Sequence, residues 1–284
     1  MECGGLVQMF FDTCYPTTKN LESMSGDEVK EWVIQHLDLL EKAKQEWNQI
    51  FRDLYSIRNQ ELDIEEKIPL IDEKADQLAS ISVGRDSAEA AIREKLETLW
   101  EKMDERSREF LITAQVIEST IADVDGDYAP VVIEMGRVFE NEIQKKVFIK
   151  YINTLSQKEP AISDTSVFYK DIVDAVNNYK ASHKYFISAT RMMKYIGDLS
   201  YKDNNSRPFR KELRNLLDKK NANIRDLSKK DKVDEVCNYI DEYRNKAAHP
   251  NTADNPNIIS KNKVESCKNE TRNVLDYFIT NVGQ

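Results

Sequence analysis

Three side chains with complementary chemistry fall within six residues of one another: Arg244, Asn245 and His249. An arginine brings a fixed cation, an asparagine an amide that both donates and accepts, and a histidine a group that titrates near neutrality. They close the segment Asp231–Pro250, whose apolar stripe is Val233, Val236, Cys237, Ile240 and Ala247. Arg244 lies one helical step (i+4) beyond Ile240, at the edge of that stripe. A guanidinium there must meet a carboxylate, a phosphate or another satisfying group, or lose several kcal/mol. His249 precedes Pro250, which pushes it out of the α region and ends the helix. An imidazolium at a helix C-terminus is favoured by up to about 2 kcal/mol. Asn245 and His249 share a face as i, i+4 neighbours. This set suits metal-independent RNA cleavage, in which the ribose 2′-OH is the nucleophile. His249 would move a proton, Arg244 would stabilise charge on the non-bridging phosphate oxygens, and Asn245 would hold the imidazole or the phosphate. A structural salt bridge for Arg244 and a helix C-cap for His249 are the plainer alternatives.

The elements that must position these residues read as helices throughout. Only 8 Gly and 7 Pro interrupt the 284 residues, 32% of which are charged, a composition of long solvated helices rather than of a disordered chain. From Val29 to Leu78 a seam recurs at alternating spacings of four and three: Val29, Val33, His36, Leu40, Ala43, Trp47, Ile50, Leu54, Ile57, Glu61, Ile64, Ile68, Ile71, Ala75 and Leu78. A 3.5-residue period held this long predicts a coiled coil, opened by the capping box Ser25-x-x-Glu28. Straight, its helix would reach roughly 75 Å, and Pro69 is expected to kink it or break it in two. After a turn at 82–87 the period resumes through Ile92, Leu96, Leu99, Met103, Arg106, Phe110, Thr113, Ile117 and Ile121. A short link between two seamed helices predicts an antiparallel hairpin. The coiled-coil hairpin is expected over 1–124 and a helical bundle over 125–284. The bundle's helices are expected from about Ala129 to Leu155 (Asp127 as cap, Pro130 in the first turn), Val167 to Ile196, Ser206 to Lys220, Lys232 to Ala248 and Lys263 to Ile279. His36 reads as a register-setting polar residue on the seam. His183, in Lys180-Ala-Ser-His183-Lys184-Tyr185, reads as surface or packing, and Tyr239 and Tyr243 as core before base-stacking groups.

The formal net charge of −9 argues at first against a nucleic-acid binder, but it is unevenly spread. Residues 1–124 hold fourteen Lys or Arg against twenty-seven Asp or Glu, net −13, whereas residues 125–284 carry net +4. Within 201–232 eleven basic residues face five acidic ones. Arg207, Arg210, Lys211, Arg214, Lys219 and Lys220 are the expected phosphate-tracking set. The four cysteines lack CxxC spacing, no metal or cofactor is expected, and no run is apolar enough to span a membrane. The N-terminus lacks a basic leader region, and the expected compartment is the reducing cytoplasm.

Arg244-Asn245-x3-His249 resembles the Arg-polar-x3-His signature of HEPN domains, the helical ribonuclease modules of prokaryotic defence and toxin systems. Asp127-Tyr128-Ala129-Pro130-Val131-Val132, followed by Phe139-Glu140-Asn141-Glu142, resembles the first core helix of HEPN proteins fused to other modules. The resemblance covers about 125–284 and leaves the arm outside. It implies a HEPN-like bundle, a homodimer whose paired motifs form a composite active site, and RNA products ending in a 2′,3′-cyclic phosphate. Arg244, Asn245 and His249 become the catalytic positions, with Glu140 either a partner for Arg244 or a helix-surface acid. A metal-independent endoribonuclease, acting as a toxin or anti-phage effector, is the leading expectation. A non-catalytic HEPN-fold interaction protein working through its coiled coil is the alternative. Some related systems modify a tyrosine near the motif, where Tyr243 stands here. The acidic arm is expected to regulate RNA access or to dock a regulatory protein.

Overall fold

A computed structural model describes residues 85–122, 127–158, 167–201, 207–248 and 259–283, together with Ser25 and scattered positions between 45 and 74. Every regular element among the described residues is helical, so the protein is all-α there, as its composition implied. His249 and Pro250, and most positions of the predicted seam including His36, lie outside the described residues.

The predicted arm departs from expectation where it is described. The chain bends at Gln60, whose N–H donates to the Ile57 carbonyl at 3.2 Å. Lys74 Nζ then lies 3.4 Å from Asp53 Oδ2. A straight helix rising 1.5 Å per residue would hold these two residues about 30 Å apart. The seam therefore does not run unbroken from 29 to 78; the described bend at Gln60 precedes Pro69, which lies outside the described residues. The predicted second limb is also divided, into α1 (Arg85–Leu96), α2 (Thr98–Lys102) and α3 (Glu105–Ala122). Glu97 stands at φ 46°, and Met103 is extended. The Asp104 carboxylate restarts the helix by accepting the Arg106 N–H at 3.0 Å.

The chain divides into two compact units, one of 1–95, 112–131 and 247–259, the other of 96–111, 132–246 and 260–284. In the first, the Asp127 carboxylate accepts the N–H of Ala129 at 3.0 Å and that of Ile259 at 2.9 Å. The predicted cap thus exists, and it also holds a strand of chain that sequence could not assign to it. Residues 96–111, read from sequence as arm, pack within the second unit. There Leu99, Trp100, Met103, Phe110 and Leu111 are buried. The Asn141 amide donates to Asp104 Oδ1 at 2.8 Å and to Ser107 Oγ at 2.9 Å, and Glu142 Oε1 accepts the Asp104 N–H at 2.7 Å.

The predicted 129–155 helix is present as α4 (Ala129–Ile143), a π-helical turn (Gln144–Phe148) and α5 (Ile149–Ser156). The helix predicted from Val167 to Ile196 is instead two, α6 (Lys170–Ser182) and α7 (Ala189–Asp198). His183 ends α6 in the left-handed region at φ 56°, its N–H bonded to the Tyr179 carbonyl at 2.8 Å. Ser188 opens α7 by accepting the Arg191 N–H. Then follow α8 (Pro208–Lys219), α9 (Ile224–Leu227) and α10 (Lys230–Tyr239). A second π-helical turn (Ile240–Asn245), α11 (Lys246–Ala248) and α12 (Lys261–Val282) complete the chain. Helix α7 packs on α10, and α12 packs on α2, α9 and α10. Tyr169 and Tyr195 stack at 5.4 Å at the centre of an aromatic cluster with Phe148, Phe168 and Phe209. No described helix is long and apolar enough to cross a membrane.

A chain starting at residue 96 keeps the buried α2–α3 side chains of the second unit, whereas one starting at 125 loses them. At about 1.5–3 kcal/mol per buried large apolar side chain, the shorter chain should unfold at a clearly lower urea midpoint. Equal midpoints would show that 96–111 contributes nothing to the bundle.

Candidate functional site around Arg244

Arg244 sits in the π-helical turn that follows α10, where hydrogen bonds step to i+5 and one extra residue is accommodated per turn; such turns frequently mark functional sites. Its side chain is 5% exposed, and Nη2 lies 2.8 Å from Glu140 Oε2 on α4, itself 13% exposed. Glu140 is therefore the carboxylate that Arg244 needed, and of the two sequence readings of Glu140 the partner is the one observed. The backbone approach that permits this depends on Gly136. A Cβ there would stand 2.5 Å from Arg244 Cβ and 2.6 Å from Cγ. Arg244 Nη1 donates to Asn245 Oδ1 at 3.2 Å, and Asn245 Nδ2 donates to Asp241 Oδ1 at 2.7 Å. Asn245 thus joins the buried cation to an exposed carboxylate. Two atoms of the ion pair remain without hydrogen-bond partners although buried, the acceptor Glu140 Oε1 and the donor Arg244 Nε. A ligand carrying both an acceptor and a donor, such as a phosphate monoanion or a hydroxyl group, would satisfy both.

Arg137 belongs to the same neighbourhood and was not singled out from sequence. It precedes Glu140 by one helical turn, contacts both Glu134 oxygens at 3.3 Å and lies over the Phe110 ring at 4.0 Å. Burial lowers its pKa to about 9; the Glu140 charge opposes that shift and the like charge of Arg244 adds to it. Its signal was the i, i+3 spacing Glu134, Arg137, Glu140 within a largely apolar helix.

The other predicted site residues are dispersed. Tyr243 is buried, its hydroxyl donating to Glu270 Oε1 at 2.6 Å with Lys263 Nζ over its ring at 4.4 Å. Tyr239 is core as well, bonded to Thr271 Oγ1 at 2.7 Å. Of the cations on α8, Arg210 is 5% exposed. It donates to the Tyr201 carbonyl and faces Asp198 at 3.8 Å. Arg214 donates to the Leu199 carbonyl at 2.6 Å. Both bond carbonyls of the short segment that follows α7. Arg210 is therefore withdrawn from the predicted phosphate-tracking set, and Arg214 is committed to the same end. Lys211 and Lys219 are exposed, and Arg207 and Lys220 half-buried. Burial, with Lys150 and Lys146 nearby, holds the Lys220 ammonium below its ordinary range. No cluster of three His, Cys, Asp or Glu arranged for a metal occurs among the described residues. Set against protein-family models, curated proteins and solved structures, the chain matches none.

Two outcomes follow from the packing around Arg244. Gly136→Ala forces α4 away from the π-helical turn, and overpacking of this kind costs about 1–3 kcal/mol; an unchanged melting temperature would refute the close approach. Helix α10 and its neighbours also hold groups that stay protonated when folded. Burial pushes the Cys237 thiol up to about 11 and Cys267 to about 12, and raises Tyr239 and Tyr243. The unfolded chain releases these protons from about pH 9 upward. Between there and the raised values the folded state binds more protons, so stability falls as pH rises. Tyrosinate absorbance should therefore appear together with loss of helical circular dichroism, and separate transitions would contradict the assignment.

Proposed function

We propose that the protein is a metal-independent endoribonuclease of HEPN type. One observation carries the reading: the Arg-polar-x3-His arginine is held in a π-helical turn against Glu140, with Asn245 as its polar neighbour. In the reaction, the ribose 2′-oxygen attacks phosphorus and loses its proton to a base. The bond from phosphorus to the 5′-oxygen breaks, and that oxygen gains a proton. His249 serves as base or acid, and Arg244 offsets the charge that grows on the phosphorane oxygens. Glu140 holds the guanidinium in one orientation between turnovers. The reading includes RNA as substrate, a homodimer with a composite cleft, cytoplasmic action as a toxin or antiviral effector, and the acidic arm as the element that controls access or docks a regulatory protein.

The burial of Arg244 and its pairing with Glu140 favour a second reading, a non-catalytic HEPN-fold interaction protein in which the ion pair is structural. The two readings separate cleanly. Incubated with total RNA in EDTA, the wild type should leave ends bearing 2′,3′-cyclic phosphate. Arg244→Ala and His249→Ala should each abolish these ends without changing the oligomeric state. Absence of cleavage by the wild type, with Arg244→Ala costing about 3–5 kcal/mol of stability as an orphaned buried charge does, would establish the structural reading instead.

A further inference from the structure

Helix α6 ends in a basic and aromatic knuckle that the Arg244 site does not use. Between Asp174 and Asp198 the sequence contains no acidic residue, while Lys180, His183, Lys184, Arg191 and Lys194 all fall there. Arg191 is tied to Asp171 at 2.8 Å. Lys180 and Lys184 are exposed, and neither pairs with a carboxylate among the described residues. The backbone turns at His183 in the left-handed region, φ 56°, where a side chain other than glycine is strained. The turn sets two kinds of ring beside each other. Tyr185 is the inward one: its hydroxyl is buried, burial raises its pKa, and its ring meets Tyr179 at 6.2 Å. His183 is exposed and stands edge-to-face on Tyr179 at 5.4 Å. Phe186, next to the anchored Tyr185, leaves 45% of its surface to solvent.

A lone exposed phenylalanine needs no explanation. A phenylalanine and a histidine exposed on one turn, beside two exposed lysines and within a stretch of sequence that has no acidic residue, match the chemistry of a single nucleic-acid strand. Every base offers a π-face, and each link between nucleosides carries an anion. A duplex hides those faces, and an acidic peptide would use the lysines but not the rings. We propose that His183 and Phe186, together with Lys180 and Lys184, form a docking site for single-stranded RNA. The choice of RNA over DNA rests on the ribonuclease reading. The placement suits it: the Cys237 thiol on α10 contacts the Thr190 carbonyl in the first turn of α7 at 3.8 Å. Arg244 follows Cys237 by seven residues, about 10 Å along a helix axis. Helix α7, which begins just after the knuckle, also packs on the π-helical turn that carries Arg244.

The test is fluorescence anisotropy in EDTA with a labelled, fully 2′-O-methylated oligoribonucleotide. This probe cannot be cut by 2′-OH attack, so binding is read whether or not the Arg244 site is catalytic. Phe186→Ala should weaken binding about tenfold or more, and Phe186→Trp should restore it, because stacking needs only an aromatic face. Changing Lys180 and Lys184 together to alanine should flatten the slope of log affinity against log salt by about 1.4, two phosphates at about 0.7 each. A duplex of the same sequence should bind more weakly and ignore Phe186→Ala. All four positions are solvent-facing, so the variants should keep the wild-type melting temperature. Unchanged affinity of Phe186→Ala, or equal loss for single strand and duplex, overturns the site and leaves the cleavage assay of the parent reading untouched.

Discussion

The buried pairing of Arg244 with Glu140 constrains more of this molecule than any other contact. Two opposite charges withdrawn from water are tolerated only if they stay together, because either one left alone would cost several kcal/mol. Helix α4 and the turn after α10 must therefore remain in register. Several features serve that requirement at once. Gly136 removes the atom that would keep the backbones apart. Tyr239 reaches from α10 to the Met135 carbonyl on α4 at 3.3 Å, one residue from that glycine. Asn245 and Asp241 extend the polar chain outward from the guanidinium. The pair leaves one buried donor, Arg244 Nε, and one buried acceptor, Glu140 Oε1, without a protein partner.

The cations of the second unit divide by job. Arg210 and Arg214 tie down the segment just after α7 through the Tyr201 and Leu199 carbonyls, where the negative end of the helix dipole also favours them. Arg137 and Arg244 are buried against carboxylates and, for Arg137, an aromatic face. Guanidinium takes these positions because its planar fork serves several acceptors and is more weakly hydrated than ammonium. Lys180, Lys184, Lys211 and Lys219 stay at the surface on flexible stems, where salt and solvent reach them, while Lys220 is half-buried. A count of basic residues along the sequence merges these roles, and only the partners of each group separate them.

Helix type and most helix positions were legible. The capping role of Asp127, the run from Ala129 to the mid-150s and the proline-led start of α8 appear where propensity and capping put them. The misses share a cause. The break between α6 and α7 needs a left-handed His183, an uncommon state for histidine, whose ring stands edge-to-face on Tyr179. The interruptions at Glu97 and Met103 bracket α2, which packs on α12, and the second is followed by the Asp104, Asn141 and Glu142 bonds, which involve residues nearly forty positions away. Apolar periodicity carried through these breaks because the same residues are buried whether the helix is continuous or segmented.

Spacing alone determined that Arg244 and Asn245 would sit at the end of an apolar-striped helix and that Arg244 would need an anion, since one buried guanidinium in that position admits few alternatives. It also determined that acidic and basic charge lie in different halves of the chain. Only the tertiary structure decided which carboxylate answers Arg244, that Arg137 shares its field, and that Arg210 is spent inside the fold. Each of these depends on contacts between residues far apart in the chain, over a hundred positions in the case of Glu140 and Arg244. Local periodicity carries no information about such contacts, because it records which face of a helix is buried and not what it is buried against.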